Sequence, residues 1–270
     1  MLRQYIAICM PALLLLFCAG GCSSQNFKNM WKDVKGVYTG YFNTPAVLEL
    51  DHDSYAEPHE IALSDAVSEV DYQLNRLLRS MDDSDRSPDE EWAGDMLRNF
   101  PWLSGILLTD GQGGILEVLA GDARRNFSLG ALFIEDARQR RTDLRACALA
   151  GPERTELYLG KPVYVQDELR VMLIAYFDVL DLLRRAGKPE KFALSTAAVP
   201  LWSAYVLEET PLGDADWEEL GESDVDGLIE NNRGEFYWLS AYFANLRLFY
   251  SLPVAGNFSS NRLALEALKR

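Results

Sequence analysis

Residues able to do chemistry are few and scattered. Both histidines, His52 and His59, fall in Asp51-His-Asp-Ser-Tyr-Ala-Glu-Pro-His59 among several carboxylates. Imidazole and carboxylate suit Zn²⁺ or another divalent ion, but the spacing matches no metal motif and Pro58 speaks for irregular backbone. A solvated loop is the competing reading and the one adopted, so no metal is expected. Hydrolysis by a nucleophile needs a base beside it, and no Gly-x-Ser-x-Gly element stands in the chain. Glycoside cleavage by paired carboxylates depends on their separation in space, so sequence leaves that possibility open. The run Asp110-Gly-Gln-Gly-Gly114 could pass for a phosphate cradle, yet no Lys-Ser/Thr pair or long helix start follows it. The chain therefore reads as a non-enzyme, with no catalytic residue and no cofactor.

The cysteines speak about address. Arg3 precedes an almost wholly apolar run, Tyr5–Phe17, which is too short for a membrane span and suits the core of a signal peptide. Ala19-Gly-Gly-Cys22 then resembles the lipobox of bacterial lipoproteins, although leucine is usual where Ala19 stands. An ordinary secretory signal with a chance cysteine, or an uncleaved anchor, are the alternatives. Under the lipoprotein reading Cys22 begins the mature chain, accepts diacylglycerol and holds the protein on a membrane with its soluble part in the periplasm. Ser23, by resemblance to enteric lipoproteins, favours the outer membrane over the inner. Cys9 and Cys18 leave with the signal, so Cys147 is left alone and no intramolecular disulfide can form. Its setting, Leu144-Arg-Ala-Cys-Ala-Leu149, is that of a buried, inert thiol. Loss of Arg3 takes the net charge from −15 to about −16. Nucleic acid and direct adhesion to anionic lipid both need basic patches, so neither is expected as a partner.

The elements that must position any site follow from periodicity. With 270 residues, 48% of them hydrophobic and 25% charged, the chain has material for one large domain or two small ones. Residues 22–60 read as tether and lead-in, with a short amphipathic helix suggested by Phe27, Met30, Trp31, Val34, Val37, Tyr38 and Tyr41. Ile61 to about Met81 carries a broad apolar stripe and predicts a long helix. A second helix over Pro88–Asn99 ends at Phe100-Pro-Trp102. Ile106–Leu108 and Ile115–Leu119 flank the glycine-rich turn and predict a hairpin. Ala123–Ala150 reads as a covering segment with short helices, Phe133–Arg141 the clearest. Leu157–Val165 and Val171–Asp178 predict a second strand pair around Gln166–Arg170, and a helix starts at Phe177. From Lys191 the order recurs in reduced form: Phe192–Ser195 with Pro200–Val206, a helical turn at Trp217, then Phe236–Phe243 with Leu246–Val254. A second module over residues 188–256 and a single sheet extended by further strands are the two ways to read this. An amphipathic helix closes the chain over residues 257–270.

Residues Ile61 to about Leu183 resemble the Cache family of extracytoplasmic PAS-like sensor domains. The resemblance is carried by the long helix, by Phe100-Pro-Trp-Leu-Ser-Gly-Ile-Leu-Leu-Thr-Asp-Gly-Gln-Gly-Gly-Ile-Leu116, by Gly160-Lys-Pro-Val-Tyr164 and by Val171-Met-Leu-Ile-Ala-Tyr-Phe-Asp178. With a second module the whole resembles a double Cache protein. The fold class it implies is α+β: a long N-terminal helix followed by one or two PAS-like antiparallel sheet modules with covering helices, residues 61–187 being the first. It also implies a pocket between the sheet and Ala123–Ala150. Alternation puts Met172, Ile174, Tyr176 and Asp178 on one strand face and Val171, Leu173, Ala175 and Phe177 on the other. Asp178 matches the family's acidic residue at the end of this strand, which receives a ligand ammonium in amine- and amino-acid-binding members. Tyr176, Tyr158, Tyr164 and Arg145 are its companions. The amino-acid binders' tyrosine–arginine–tryptophan–tyrosine signature is absent. Against a ligand role, the tyrosines could be strand packing and Asp178 a helix cap.

The functional expectation is a lipid-anchored sensor or binding module for a small molecule, an organic acid or an amine, acting through a separate envelope protein. It passes its signal to that partner because the sequence ends without a transduction segment. The alternative is a structural or protein-interaction lipoprotein that uses the same body without a ligand.

Overall fold

The computed structural model describes residues 56–82, 88–121, 130–133, 143–151, 155–165, 168–185 and 187–269. The expected signal peptide, the expected lipidation site Cys22, His52 and the expected helix over residues 27–41 lie outside these.

Helix α1 spans Pro58–Asp82. Leu63, Ala66, Val67, Val70, Leu74, Leu77 and Met81 are its buried residues and fall on one face at helical spacing. Pro58, expected to hold the preceding stretch irregular, is instead its first residue. A proline is cheap there, because the first N–H of a helix has no internal partner. His59 therefore sits on a helix and not in a loop, with its ring 4.7 Å from that of Tyr237. At the other end Lys161 Nζ donates to the carbonyls of Met81 and Asp82, at 2.9 and 2.8 Å. Helix α2, Glu90–Asn99, is capped by Asp89, whose carboxylate accepts from the Trp92 N–H.

Strands β1 (Gly105–Asp110) and β2 (Ile115–Gly121) form the expected hairpin. Asp110 Oδ1 accepts from the N–H groups of Gln112 and Gly114, and Gly113 has φ +90°. The turn spends its carboxylate on its own backbone, which makes it framework. Helix α3 (Gly130–Phe133), β3 (Arg145–Ala150), β4 (Thr155–Val165), β5 (Glu168–Asp178) and α4 (Val179–Leu183) follow. Residues 145–150, read from sequence as part of the covering segment, are thus a strand. Most of the expected helix over Phe133–Arg141 lies outside the described residues.

After a short 3-10 turn at Pro189–Lys191 come β6 (Ala193–Ser195), β7 (Pro200–Ser203), α5 (Trp217–Ser223), β8 (Asp226–Asn231), β9 (Gly234–Phe243), β10 (Leu246–Gly256) and α6 (Arg262–Ala267). The described strands make two separate antiparallel sheets, ordered β2-β1-β5-β4-β3 and β7-β6-β10-β9-β8. Counted within each sheet, both orders run second, first, fifth, fourth, third. The architecture is the expected α+β, PAS-like one, with two sheets and not one extended sheet.

A single apolar core serves both. Ile106, Leu157, Leu173, Ala175 and Phe177 of the first sheet join Leu194, Tyr237, Leu248 and Tyr250 of the second around the buried stripe of α1. The opposite faces carry smaller clusters of their own. One gathers Leu107, Cys147, Tyr158, Met172, Ile174 and Tyr176 with Leu132 of α3; the other packs Phe236, Trp238 and Phe249 beneath Leu212 and Trp217. Asn245, in the β9–β10 turn, accepts from the edge N–H of Ala146 at 2.6 Å and ties the second sheet to β3.

Candidate functional site

Alternation along β5 places the side chains as expected. Leu173, Ala175 and Phe177 enter the shared core, whereas Met172, Ile174 and Tyr176 belong to the outer cluster of the first sheet. Tyr158 of β4 lies directly opposite Tyr176 of β5, and their rings stack at 5.7 Å and 17°. One step further, Glu156 lies directly opposite Asp178. All four are buried. Tyr158 donates its hydroxyl to Glu156 Oε2 at 2.5 Å. The result is a two-by-two patch of tyrosines and carboxylates at the end of the sheet where β5 passes into α4.

Glycine makes room for this patch. A Cβ on Gly105 of β1, which pairs with Tyr176, would stand 2.7 Å from the Tyr176 hydroxyl. Any side chain there would displace the ring.

Asp178 has a structural duty as well. It is the N-cap of α4, with its Oδ1 accepting from the Leu180 N–H at 2.9 Å. Arg145 and Tyr164 meet at a different place on the sheet. Arg145 lies across from Gly160. Its Nη1 donates to the Leu132 carbonyl at 3.1 Å and its Nη2 to the Tyr164 hydroxyl at 3.2 Å. Arg145 thus holds α3 down on the sheet. The five residues singled out in sequence fall into two groups: Tyr158, Tyr176 and Asp178 in one, Arg145 and Tyr164 in the other.

Glu156 is the member that sequence reasoning missed. It precedes Tyr158 by two, so strand alternation alone places it on the tyrosine's face. Both carboxylates act as acceptors within the fold, Glu156 from the Tyr158 hydroxyl and Asp178 from the Leu180 N–H.

Three solved structures similar to this one are a methyl-accepting chemotaxis protein X and two chemoreceptor ligand-binding domains from Pseudomonas. The first is 11% identical over 72% of this chain and 95% of that one, with a TM-score of 0.45. The second, the amino acid chemoreceptor PctC of Pseudomonas aeruginosa PAO1 in complex with GABA, is 13% identical over 73% and 95%, at 0.40. The third, Pseudomonas fluorescens CtaA in complex with L-leucine, is 10% identical over 77% and 93%, at 0.39. No protein-family profile matches the sequence, and no curated protein matches it significantly. Likeness at this level assigns no family.

Two open clefts of about 590 Å³ each flank the 3-10 turn at Leu207–Glu209. One lies between the Asp178 end of the first sheet, β7 and α6. The other lies under the Thr196–Val199 turn, beside Asp214, Trp217 and Arg233. Among the described residues no group of three or more His, Cys, Asp or Glu could hold a metal ion, and no helix is long and apolar enough to cross a membrane. Cys147, the one cysteine among the described residues, is buried, and that burial pushes its pKa up to about 12. A thiol so raised stays protonated and is a poor nucleophile.

Proposed function

We propose that this chain is a lipid-anchored, extracytoplasmic Cache-like sensor module, held on a bacterial membrane through Cys22, that binds a small molecule and passes the signal to a separate envelope protein. In this reading residues 61–187 and 188–256 are two PAS-like modules and the outer membrane is the favoured site of anchoring. The observation that carries it is the buried patch of Glu156, Tyr158, Tyr176 and Asp178 on the outer face of the first sheet. Carboxylates with tyrosines on either side suit a ligand ammonium, so an amine ranks before an organic acid. Arg145 and Tyr164 would fix the α3 end of the same face.

The test is ligand-induced stabilisation of the purified mature chain. Small amines and organic acids, each supplied at about a hundred times its dissociation constant, raise the stability of a binder by about 2.7 kcal/mol, a shift of several degrees in Tm. At least one amine is expected to do this, and Tyr158→Phe or Tyr176→Phe to remove the effect while the chain stays folded. If no compound in either class moves the melting curve, sensing by this patch is wrong.

A second reading is supported by residues 207–226, where nine acidic residues stand without one Lys or Arg. There the protein presents an acidic surface to an envelope partner and binds no small molecule. Crosslinking in cells separates the two: a partner captured equally well by Asp178→Ala supports interaction over sensing.

A further inference from the structure

The cleft under the Thr196–Val199 turn of the second sheet gathers hydrogen-bond donors around an apolar floor. Arg233 stands in the β8–β9 turn, where Asn231 Oδ1 accepts from its backbone N–H at 2.9 Å. Its Nη1 donates to the carbonyls of Glu208 and Thr210, at 2.5 and 3.4 Å. Those bonds hold the guanidinium in place by one arm. Its Nη2 and Nε meet no acceptor among the described residues, and the side chain is 44% exposed. Leu212 and Trp217, both buried, supply the floor. The Trp217 indole N–H has no acceptor among the described residues either, although the residue is only 7% exposed. Water or a guest's oxygen must serve it. The turn itself adds two donors. Thr196 closes it, donating its N–H to the Val199 carbonyl and accepting from the Val199 N–H on its hydroxyl. That leaves the N–H groups of Ala197 and Ala198, both exposed and both lining the cleft, without an acceptor among the described residues.

We propose that this cleft is a second ligand site, separate from the patch on the first sheet, and that it takes a small monocarboxylate with an apolar body. The carboxylate sits on the open Nη2–Nε edge of Arg233, whose planar fork matches two carboxylate oxygens. The body lies on Leu212 and Trp217. The Trp217 indole and the turn N–H groups serve the remaining lone pairs. Asp214 does not occupy the arginine: its carboxylate stands 3.8 Å from Nη1, the arm already bound to backbone, and is 73% exposed, so water screens the pair. With Glu208 it sets a negative rim, which disfavours a second charge on the guest and selects a monocarboxylate over a dicarboxylate. A volume of about 590 Å³ is within the range of small-molecule sites.

The experiment is calorimetric titration of the mature chain with phenylacetate and hexanoate, and with phenylacetamide as the uncharged control. Binding of at least one carboxylate is expected, with phenylacetamide weaker than phenylacetate by about ten-fold, the scale of one charged hydrogen bond. Arg233→Gln should weaken carboxylate binding by about the same factor. Asp214→Asn should tighten it about two-fold by removing the competing charge, and Tyr158→Phe, on the first sheet, should leave it unchanged. Failure of both carboxylates to bind overturns the inference, as does phenylacetamide bound as tightly as phenylacetate. So does binding that a folded Arg233→Gln keeps in full. Should Arg233→Gln fail to fold, Asp214→Asn decides, and the absence of any tightening overturns it. Binding of amines by the first-sheet patch is read separately, through its loss in Tyr158→Phe, so either site can fail without the other.

Discussion

At the scale of single residues, burial decides what each ionisable group can do. Cys147 is 6% exposed, and its raised pKa leaves almost no thiolate at neutral pH. In mature chain carrying Cys22→Ser, iodoacetamide at pH 8 is expected to leave the native protein unmodified and to alkylate it in guanidinium. Rapid native labelling would show that the β3 edge opens readily. Asp71 of α1 is half-buried, and desolvation raises its pKa from 3.8 against the lowering effect of its hydrogen bond from Asn75. Between 3.8 and the raised value the folded state holds a proton that the unfolded state has released. Stability therefore falls as pH rises through that window, and the full cost persists above it. Asp71→Asn removes the charge and keeps an oxygen for Asn75, so it should melt higher than the parent at pH 7 and alongside it at pH 3. Asp178 shows how much of a site residue is legible in sequence. Its strand end and its capping of the next helix both follow from local pattern, but its cross-strand neighbour Glu156 and the cleft beside it depend on register and on the distant segments at Pro200–Glu208 and Asn261–Ala267.

At the scale of elements, the long helix was legible and two edge strands were not. The stripe of α1 fixes its buried face, and Leu74→Ala, at a position 3% exposed, should cost about 3 kcal/mol in denaturant unfolding, within the span for buried leucines. Lys161 acts on the same helix from outside, because a cation on the last carbonyls offsets the negative end of the helix dipole. Lys161→Met should cost about 1 kcal/mol, and a loss below a few tenths would mean that solvent replaces the ammonium without penalty. Strand β3 was missed because Arg145-Ala-Cys-Ala-Leu-Ala150 is made mostly of residues that suit helices. It is a strand because β4 offers it an open edge, and Asn245 satisfies one of its outward N–H groups. Strand β8, Asp226-Gly-Leu-Ile-Glu-Asn231, is short and polar for the same reason: an edge with one paired side needs little apolar material.

At the scale of the whole molecule, the two sheets repeat one strand order and share their largest core. Side chains from both meet on α1, so thermal or denaturant unfolding is expected to be one cooperative transition. Leu74→Ala should move that transition as a unit, whereas two resolved steps would show that each sheet holds by itself. By itself the sequence determined the elements whose cause is local: the stripe of α1, the hairpin around Asp110–Gly114, the alternation of β5 and the absence of hydrolase and phosphate motifs. Those signals arise from neighbours within a few residues, where periodicity and turn geometry act directly. Tertiary structure alone decided that there are two sheets of one order, that Glu156 stands against Asp178, and that the Asp178 end of the first sheet opens on a cleft walled by β7 and α6. Each of these is a contact between segments far apart in the chain, set by sheet register and by how two apolar faces share one helix, and no local pattern encodes it.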